Sequence, residues 1–297
     1  MAEQPIAMSQ PFRFAAAQIR RTRSEIRPQV PWRLLPLASV MVVVVFGPLM
    51  LPSPTAQSLA DRLQPPVGAG GSWLGTDGLG RDLLARIVTG ARTSLQISAL
   101  AATGAAMLGI FAGVAAGMMR GWTDRIITLL VETVLAVPFI TVGLMVTATM
   151  GQSVTSLVLL LMGTGWITHA RVLRSQAHVL SSADFVLASL AMGAGRGHIA
   201  RKHLLPNLAP VAIVVYFQQI GSMLLWSASL TWLGIGLPFE RISLGGIVRD
   251  GQELLYNGWW VSISGGLAIV IIVTSLNLAA DWLRLRLDPT LKGHASI

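Results

Sequence analysis

Residues 94–119 read SLQISALAATGAAMLGIFAGVAAGMM, 26 positions without one charged side chain. About 20 apolar residues suffice for a helix to cross the hydrocarbon core of a bilayer, so this stretch reads as a membrane span. Five more long apolar runs surround it: Trp32 to about Leu51, Ile126 to Met150, Val154 to Val172, Leu208 to Leu230, and Trp259 to Leu283. Six spans explain why the 297-residue chain is 53% hydrophobic and 12% charged, with a mean hydropathy of +0.64. A soluble domain would carry about a quarter charged residues. The expected fold class is all-α, a polytopic membrane protein with six transmembrane helices.

The organisation follows from what lies between the runs. Residues 1–31 form a basic N-terminal tail, and 32–51 the first span, whose exit Phe46-Gly-Pro-Leu-Met-Leu-Pro lacks the small-residue site of a cleaved signal peptide. Residues 52–93 form an extracytoplasmic segment. Within it Asp77, Arg81, Asp82, Arg86 and Arg92 alternate in sign at near-helical spacing, which predicts an amphipathic interfacial helix with internal ion pairs. Residues 94–283 form a five-helix core that includes a long link at 173–207, and 284–297 form a tail. The short links from the second to the third and from the third to the fourth span predict antiparallel neighbours.

Charge orients the chain. With the N-terminus inside, segments 1–33, 120–125, 171–207 and 284–297 hold 16 of the 22 Lys and Arg residues. The other six face Asp61, Asp77, Asp82, Glu240, Asp250 and Glu253, so the outer face is neutral and the whole +9 lies inside. Both termini are therefore expected in the cytoplasm, and the charge labels a membrane face, with no nucleic-acid partner. Trp32, Trp122, Trp259, Trp260 and Trp282 fall where runs meet water, as interfacial anchors do.

The chain carries no motif for chemistry of its own. Apart from Asp281 at the very end of the sixth run, Glu132 is the one acidic residue inside a run, H-E-x-x-H and G-x-S-x-G are absent, and no cysteine exists to serve as nucleophile or thiolate ligand. The five histidines, His169, His178, His198, His203 and His294, fall at or beyond the expected cytoplasmic boundary, so no metal site is expected. A P-loop needs Lys before Ser or Thr, whereas Lys202 and Lys292 precede His and Gly. No catalytic residue is assigned and no cofactor is expected on this chain. If transport is active, its motor is another polypeptide.

The 173–207 link reads as two short helices around a glycine turn. Asp184 is the expected N-terminal cap of an apolar helix, Phe185 to Met192, followed by a turn at Gly193 to Gly197 and a basic helix, Arg196 to Leu205, stopped by Pro206. An apolar helix outside the membrane needs a cover, either the protein's own spans and the lipid interface or a groove in a cytoplasmic subunit. In the fifth span Gln218, Gln219, Ser222, Ser227 and Ser229 are polar. Spacings of 4 and 7 put 218, 222 and 229 on one face, for substrate contact or for interhelical hydrogen bonds.

These features resemble the inner-membrane permeases of binding-protein-dependent ABC importers, in the dipeptide, oligopeptide and nickel group and of its second permease type. The docking loop of that family reads E-A-A-x-x-x-G followed by a run ending in L-P, and here Leu187-Ala188-Ser189, Gly193 and Leu205-Pro206 stand in that register. Asp184-Phe-Val stands for Glu-Tyr-Val, and Arg201-Lys-His-Leu-Leu-Pro-Asn207 follows R-H-x-L-P-N. Gly75-Thr-Asp-Gly-Leu-Gly-Arg-Asp82 before the second span, Trp232-Leu-Gly-Ile-Gly-Leu-Pro238 after the fifth and Asn277-Leu-Ala-Ala-Asp281 with Leu287-Asp288-Pro289 at the end are similar to family blocks in the right order.

The resemblance implies a bacterial inner-membrane permease subunit with a cytoplasmic coupling-helix loop, forming half of a pathway for di- or oligopeptides or a similar small solute. The same machine carrying nickel or a metal chelate is the alternative, and a membrane scaffold or integral enzyme without a known motif is the alternative of another class. The implied partners are a second permease, two cytoplasmic ATPases that hold ATP and magnesium, an extracytoplasmic substrate-binding protein and the lipid bilayer. Asp184, Phe185, Leu187, Ala188, Ser189, Gly193, Arg196, Arg201 and Pro206 would meet the ATPase, with Leu187 replacing the family's glutamate by an apolar contact.

Overall fold

The computed structural model describes residues 31–66 and 72–287. The basic tail up to residue 30 and the Asp288-Pro289 part of the C-terminal motif lie outside the described residues. Ten helices follow in order: α1 (Leu35–Met50, entered by a 3-10 turn Pro31–Leu34), α2 (Leu83–Met119), α3 (Trp122–Ala136), α4 (Phe139–Met150), α5 (Val154–Leu180), α6 (Asp184–Ala191), α7 (Arg196–Ile199), α8 (Leu205–Trp232), α9 (Leu244–Gln252) and α10 (Trp259–Leu287). Among the described residues there is no strand, only an isolated bridge between Thr76 and Asp82. Five helical stretches are long and apolar enough to cross a membrane, and a bent pair makes a sixth.

The bent pair is α3 with α4. Hydropathy reads straight through this stretch, but the chain turns by 85° between Ala136 and Phe139. The residue before a proline is pushed out of the helical region, and Val137 is extended with ψ 125 ahead of Pro138. The third apolar run is therefore two helices at a sharp angle, and α3 buries only Val131 in the chain.

The tightest helix contact joins α2 to α5. Gly109, Gly113 and Gly117 recur every fourth residue on α2, and a Cβ on them would lie 2.5 Å from the Cβ of His169, 2.7 Å from the carbonyl oxygen of Ala170 and 2.6 Å from the Cβ of Ala177. Both numberings rise together, so α2 and α5 run parallel with their backbones pressed close, as small residues permit in membranes. Neighbours in sequence are thus not the main neighbours in space: the second apolar run packs on the fourth, and the bent third run lies at the edge. The core continues through Leu224, Leu230, Leu244, Ile247 and Val261 of α8, α9 and α10. A second, smaller core gathers Leu173 and Ala177 with Val186, Ile199, Leu204 and Leu208 beneath the 181–204 loop.

Two expected boundaries move. The sign-alternating stretch is no separate interfacial helix, because Asp82 caps α2 by accepting the Ala85 amide at 2.8 Å and the helix then runs unbroken into the membrane. Pro206 does not stop a helix either. Proline lacks an N–H and clashes with the carbonyl four residues back. Here the turn before it, Ala200–Leu204, widens to π geometry, with the Leu205 amide bonded to the Ala200 carbonyl, and the helix passes into α8.

Candidate docking loop and translocation face

The candidate docking loop is a folded unit. α6 begins at Asp184, but Ala183 occupies the cap position without a side-chain hydrogen bond, so Asp184 acts only as an acid in the first turn. Val186 and Ser189 point inward, while Phe185, Leu187, Leu190 and Met192 are exposed, Met192 by 82%. Ala188, Arg196, Arg201 and Pro206 are exposed as well, so Ser189 alone of the nine candidate docking residues is buried. Gly193 closes α6 at φ +87, a conformation that L side chains rarely adopt, with no atom within 4 Å of a Cβ built there. The amide of Ala194 returns to the Ser189 carbonyl at 3.1 Å. The ring of Phe185 stacks 5.8 Å from His203, which lies 6.0 Å from His198. These two histidines join α6 to the widened turn, a pairing that spacing alone does not reveal.

The polar residues of α8 divide. Gln218, Ser222 and Ser229 fall on one exposed stripe with Leu225 and Trp232, and the two serine hydroxyls donate to carbonyls of their own helix. Gln219 and Ser227 face the bundle. Gln219 Nε2 donates to the Gly165 carbonyl of α5 at 2.5 Å, and Ser227 Oγ donates to the Leu224 carbonyl at 2.9 Å. His169 is fully buried beside Gln219, between α5 and α2 where Gly109 approaches it. Across the stripe, Phe139 at the start of α4 stacks on Trp226 at 4.5 Å. Glu132 is exposed on α3.

At the opposite end an ion network ties the 72–82 segment to three helices. Asp77, 1% exposed, accepts from the Leu79 and Arg81 amides at 2.9 and 3.0 Å, from Arg81 Nε at 2.7 Å and from Arg86. Arg86 reaches Asp250 of α9 at 3.1 Å, and Arg249 reaches the Thr231 carbonyl at 3.3 Å while lying over Phe239. Burial pushes the Asp77 carboxyl up, but the two amides and the charge of Arg86 outweigh it and hold the group below the usual carboxylate range. Arg92 takes no part. Trp260 is no interfacial anchor: it is buried, and its Nε1 donates to the Thr76 carbonyl at 3.2 Å.

This arrangement has counterparts. The model of the family described as the binding-protein-dependent transport system inner membrane component matches residues 105–293, from α2 to beyond α10. The chain belongs to this family. The dipeptide transport system permease protein of Alkalihalophilus pseudofirmus is 32% identical over 95% of this chain and 91% of its own length. A probable D,D-dipeptide transport system permease protein of Escherichia coli is 31% identical over 86% of each chain, and an oligopeptide transport system permease protein of Bacillus subtilis is 29% identical over 87% and 85%. Among solved structures, an inward-facing methionine ABC transporter matches with a TM-score of 0.58 at 21% identity over 68% of this chain and 96% of that one, a likeness of fold. As an inner membrane component of a binding-protein-dependent system, the protein is a multi-span transport subunit and not an enzyme.

Proposed function

We propose that this inner membrane component is one half of the translocation pathway of an ATP-driven importer for di- or oligopeptides. It pairs with a second permease, receives substrate from an extracytoplasmic binding protein, and is driven by two cytoplasmic ATPases that bind ATP and magnesium. Both termini and the 181–204 loop then face the cytoplasm, as the basic residues of that side favour. The observation that carries this reading is the outward apolar face of α6, Phe185, Leu187, Leu190 and Met192, held on a core of its own. Such a face suits a groove in a partner subunit. Leu187 makes that contact apolar where the family's glutamate would be charged. The peptide class is supported by the transport systems named for the relatives.

Gly193→Val tests the docking. The β-branched side chain is strained at φ +87, so transport should fall at least tenfold and less ATPase should co-purify with the membrane complex. Full transport with normal co-purification would refute the assignment. The purified chain without added motor should hydrolyse no ATP, and activity above background would sink the reading. Growth on a peptide panel and on limiting nickel, with and without the gene, identifies the cargo; loss of nickel-limited growth alone would overturn the peptide class.

A further inference from the structure

Five ion pairs form among the described residues, and four of them belong to the network around Asp77 and Asp250. The fifth stands apart, at the other end of the bundle. Arg174 of α5 grips Asp124 of α3 with both arms of its fork, Nε on one carboxylate oxygen and Nη2 on the other at 2.8 Å. A bidentate contact of this kind fixes direction as well as distance.

Little else holds α3. Val131 is its one buried residue, and among the described residues α3 makes no other side-chain hydrogen bond to a different helix. Beyond the break, α4 belongs to the far end of α8. A Cβ on Gly143 would lie 3.0 Å from Leu230, Thr147 Oγ1 donates to the Ile235 carbonyl at 2.6 Å, and Gln152 Nε2, just past α4, donates to the Gly234 carbonyl. One half of the bent arm is thus tied to α5 and the other to α8, with Val137 and Pro138 between them. The α5 end of this tie is joined to the 181–204 loop: Leu173 and Ala177, which flank Arg174 in sequence, share the small core with Val186 of α6, and Arg120 Nη2 donates to Ser182 Oγ at 2.8 Å.

We propose that Asp124 and Arg174 are positioning residues for transport: the pair makes α3 follow the 181–204 loop, so that a displacement of the loop changes the angle at Pro138 and the contact of Phe139 with Trp226. The inference rests on the reading of that loop as the ATPase contact. The pair is open to solvent, with the Arg174 side chain 42% and the Asp124 side chain 29% exposed. Ion pairs so exposed add little to stability, because water screens them and two side chains must be held still. What this one contributes is the direction of a helix that packing leaves almost free.

The chain has no cysteine, which suits a spin-label test. Labels at Leu129→Cys on α3 and Met150→Cys at the end of α4, both exposed positions, report the angle across Pro138 by double electron–electron resonance. The sample is the full complex in nanodiscs, with cysteines of the other subunits replaced. Addition of ATP and vanadate should shift the distance by about 2 Å or more, the scale of helix shifts in switching proteins. Arg174→Gln and Asp124→Asn should each remove most of that shift, while the ATPase still co-purifies and the melting temperature moves by no more than about 3 °C. The exchange Asp124→Arg with Arg174→Asp should restore the shift, and Arg171→Gln, one turn away and exposed, should leave it intact. A parent distance that ignores nucleotide, a shift that survives both single variants or that the exchange does not restore, or a collapse of melting temperature in the single variants would each overturn the proposal. Failure of the ATPase to co-purify with the parent would overturn the docking reading and the proposal with it.

Discussion

Gln219 and Ser222 are one turn apart on α8 and do different work. The first spends its amide N–H on the Gly165 carbonyl, with buried His169 alongside, while the second returns its hydroxyl to its own helix on the exposed stripe. Interhelical hydrogen bonds in membranes contribute on average about 0.6 kcal/mol and at most about 1.7. Gln219→Leu should therefore lower the thermal stability of the purified complex by about that amount, and Ser222→Leu should leave it unchanged while lowering transport. If Ser222→Leu transports normally and Gln219→Leu does not lose stability, the division of the two faces is wrong. The stripe of 218, 222 and 229 is legible in the sequence because helical spacing decides it. The inward turn of Gln219 and Ser227 is not, since which polar side chains find partners depends on the helix that packs opposite.

At the scale of elements, the six apolar runs are legible because lipid excludes charge from them, yet hydropathy carries no information on which run packs on which. That choice lies with the glycines of α2. Spaced at 109, 113 and 117, they mark a contact face, but the partner α5 offers no complementary repeat to name it. Gly113→Leu would force the two backbones apart, and overpacking of this kind costs about 1–3 kcal/mol or more. Gly266 on α10, where a Cβ would meet nothing within 4 Å, is the control. Gly113→Leu should sharply reduce the yield of folded protein, and Gly266→Leu should not; equal yields would show that the close approach is dispensable. The break at Pro138 and the widened turn before Pro206 show the same residue type with opposite outcomes. A proline ends a helix where the residue before it leaves the helical region, as Val137 does, and the helix continues where that residue stays helical, as before Pro206 and Pro210.

Across the whole molecule, the two ends are built by different means. The side of the 181–204 loop is held by a small apolar core, and the other side by the network of buried Asp77 and Arg86 with half-buried Asp250. Removing one partner of a buried ion pair costs about 3–5 kcal/mol. The Asp77 carboxyl is held below its ordinary value in the folded state. Its contribution is therefore fully present above the ordinary carboxylate pKa and is lost as pH falls through the depressed folded value. Asp77→Asn should destabilise the protein near neutral pH by about the amount given for such a pair, and the stability curves of variant and parent should converge in acid. A gap that stays constant down to strongly acid pH would show that ionisation is not its source. The alternation of signs in 77–92 announces these charges in sequence, but not that they turn inward, because the burial comes from α9, 150 residues further along the chain between Ser94 and Leu244.

The widened turn before Pro206 has a mechanical consequence. Because α7, the π turn and α8 are continuous from Arg196 to Trp232, they form a single lever of 37 residues, about 55 Å long at 1.5 Å per residue. A tilt imposed on its basic foot at Arg201 reaches the stripe of Gln218, Ser222 and Ser229 along one continuous helix, past the widened turn and Pro210. The chain bends instead at Val137 and Pro138, so the continuous arm and the bent arm face each other where Trp226 meets Phe139.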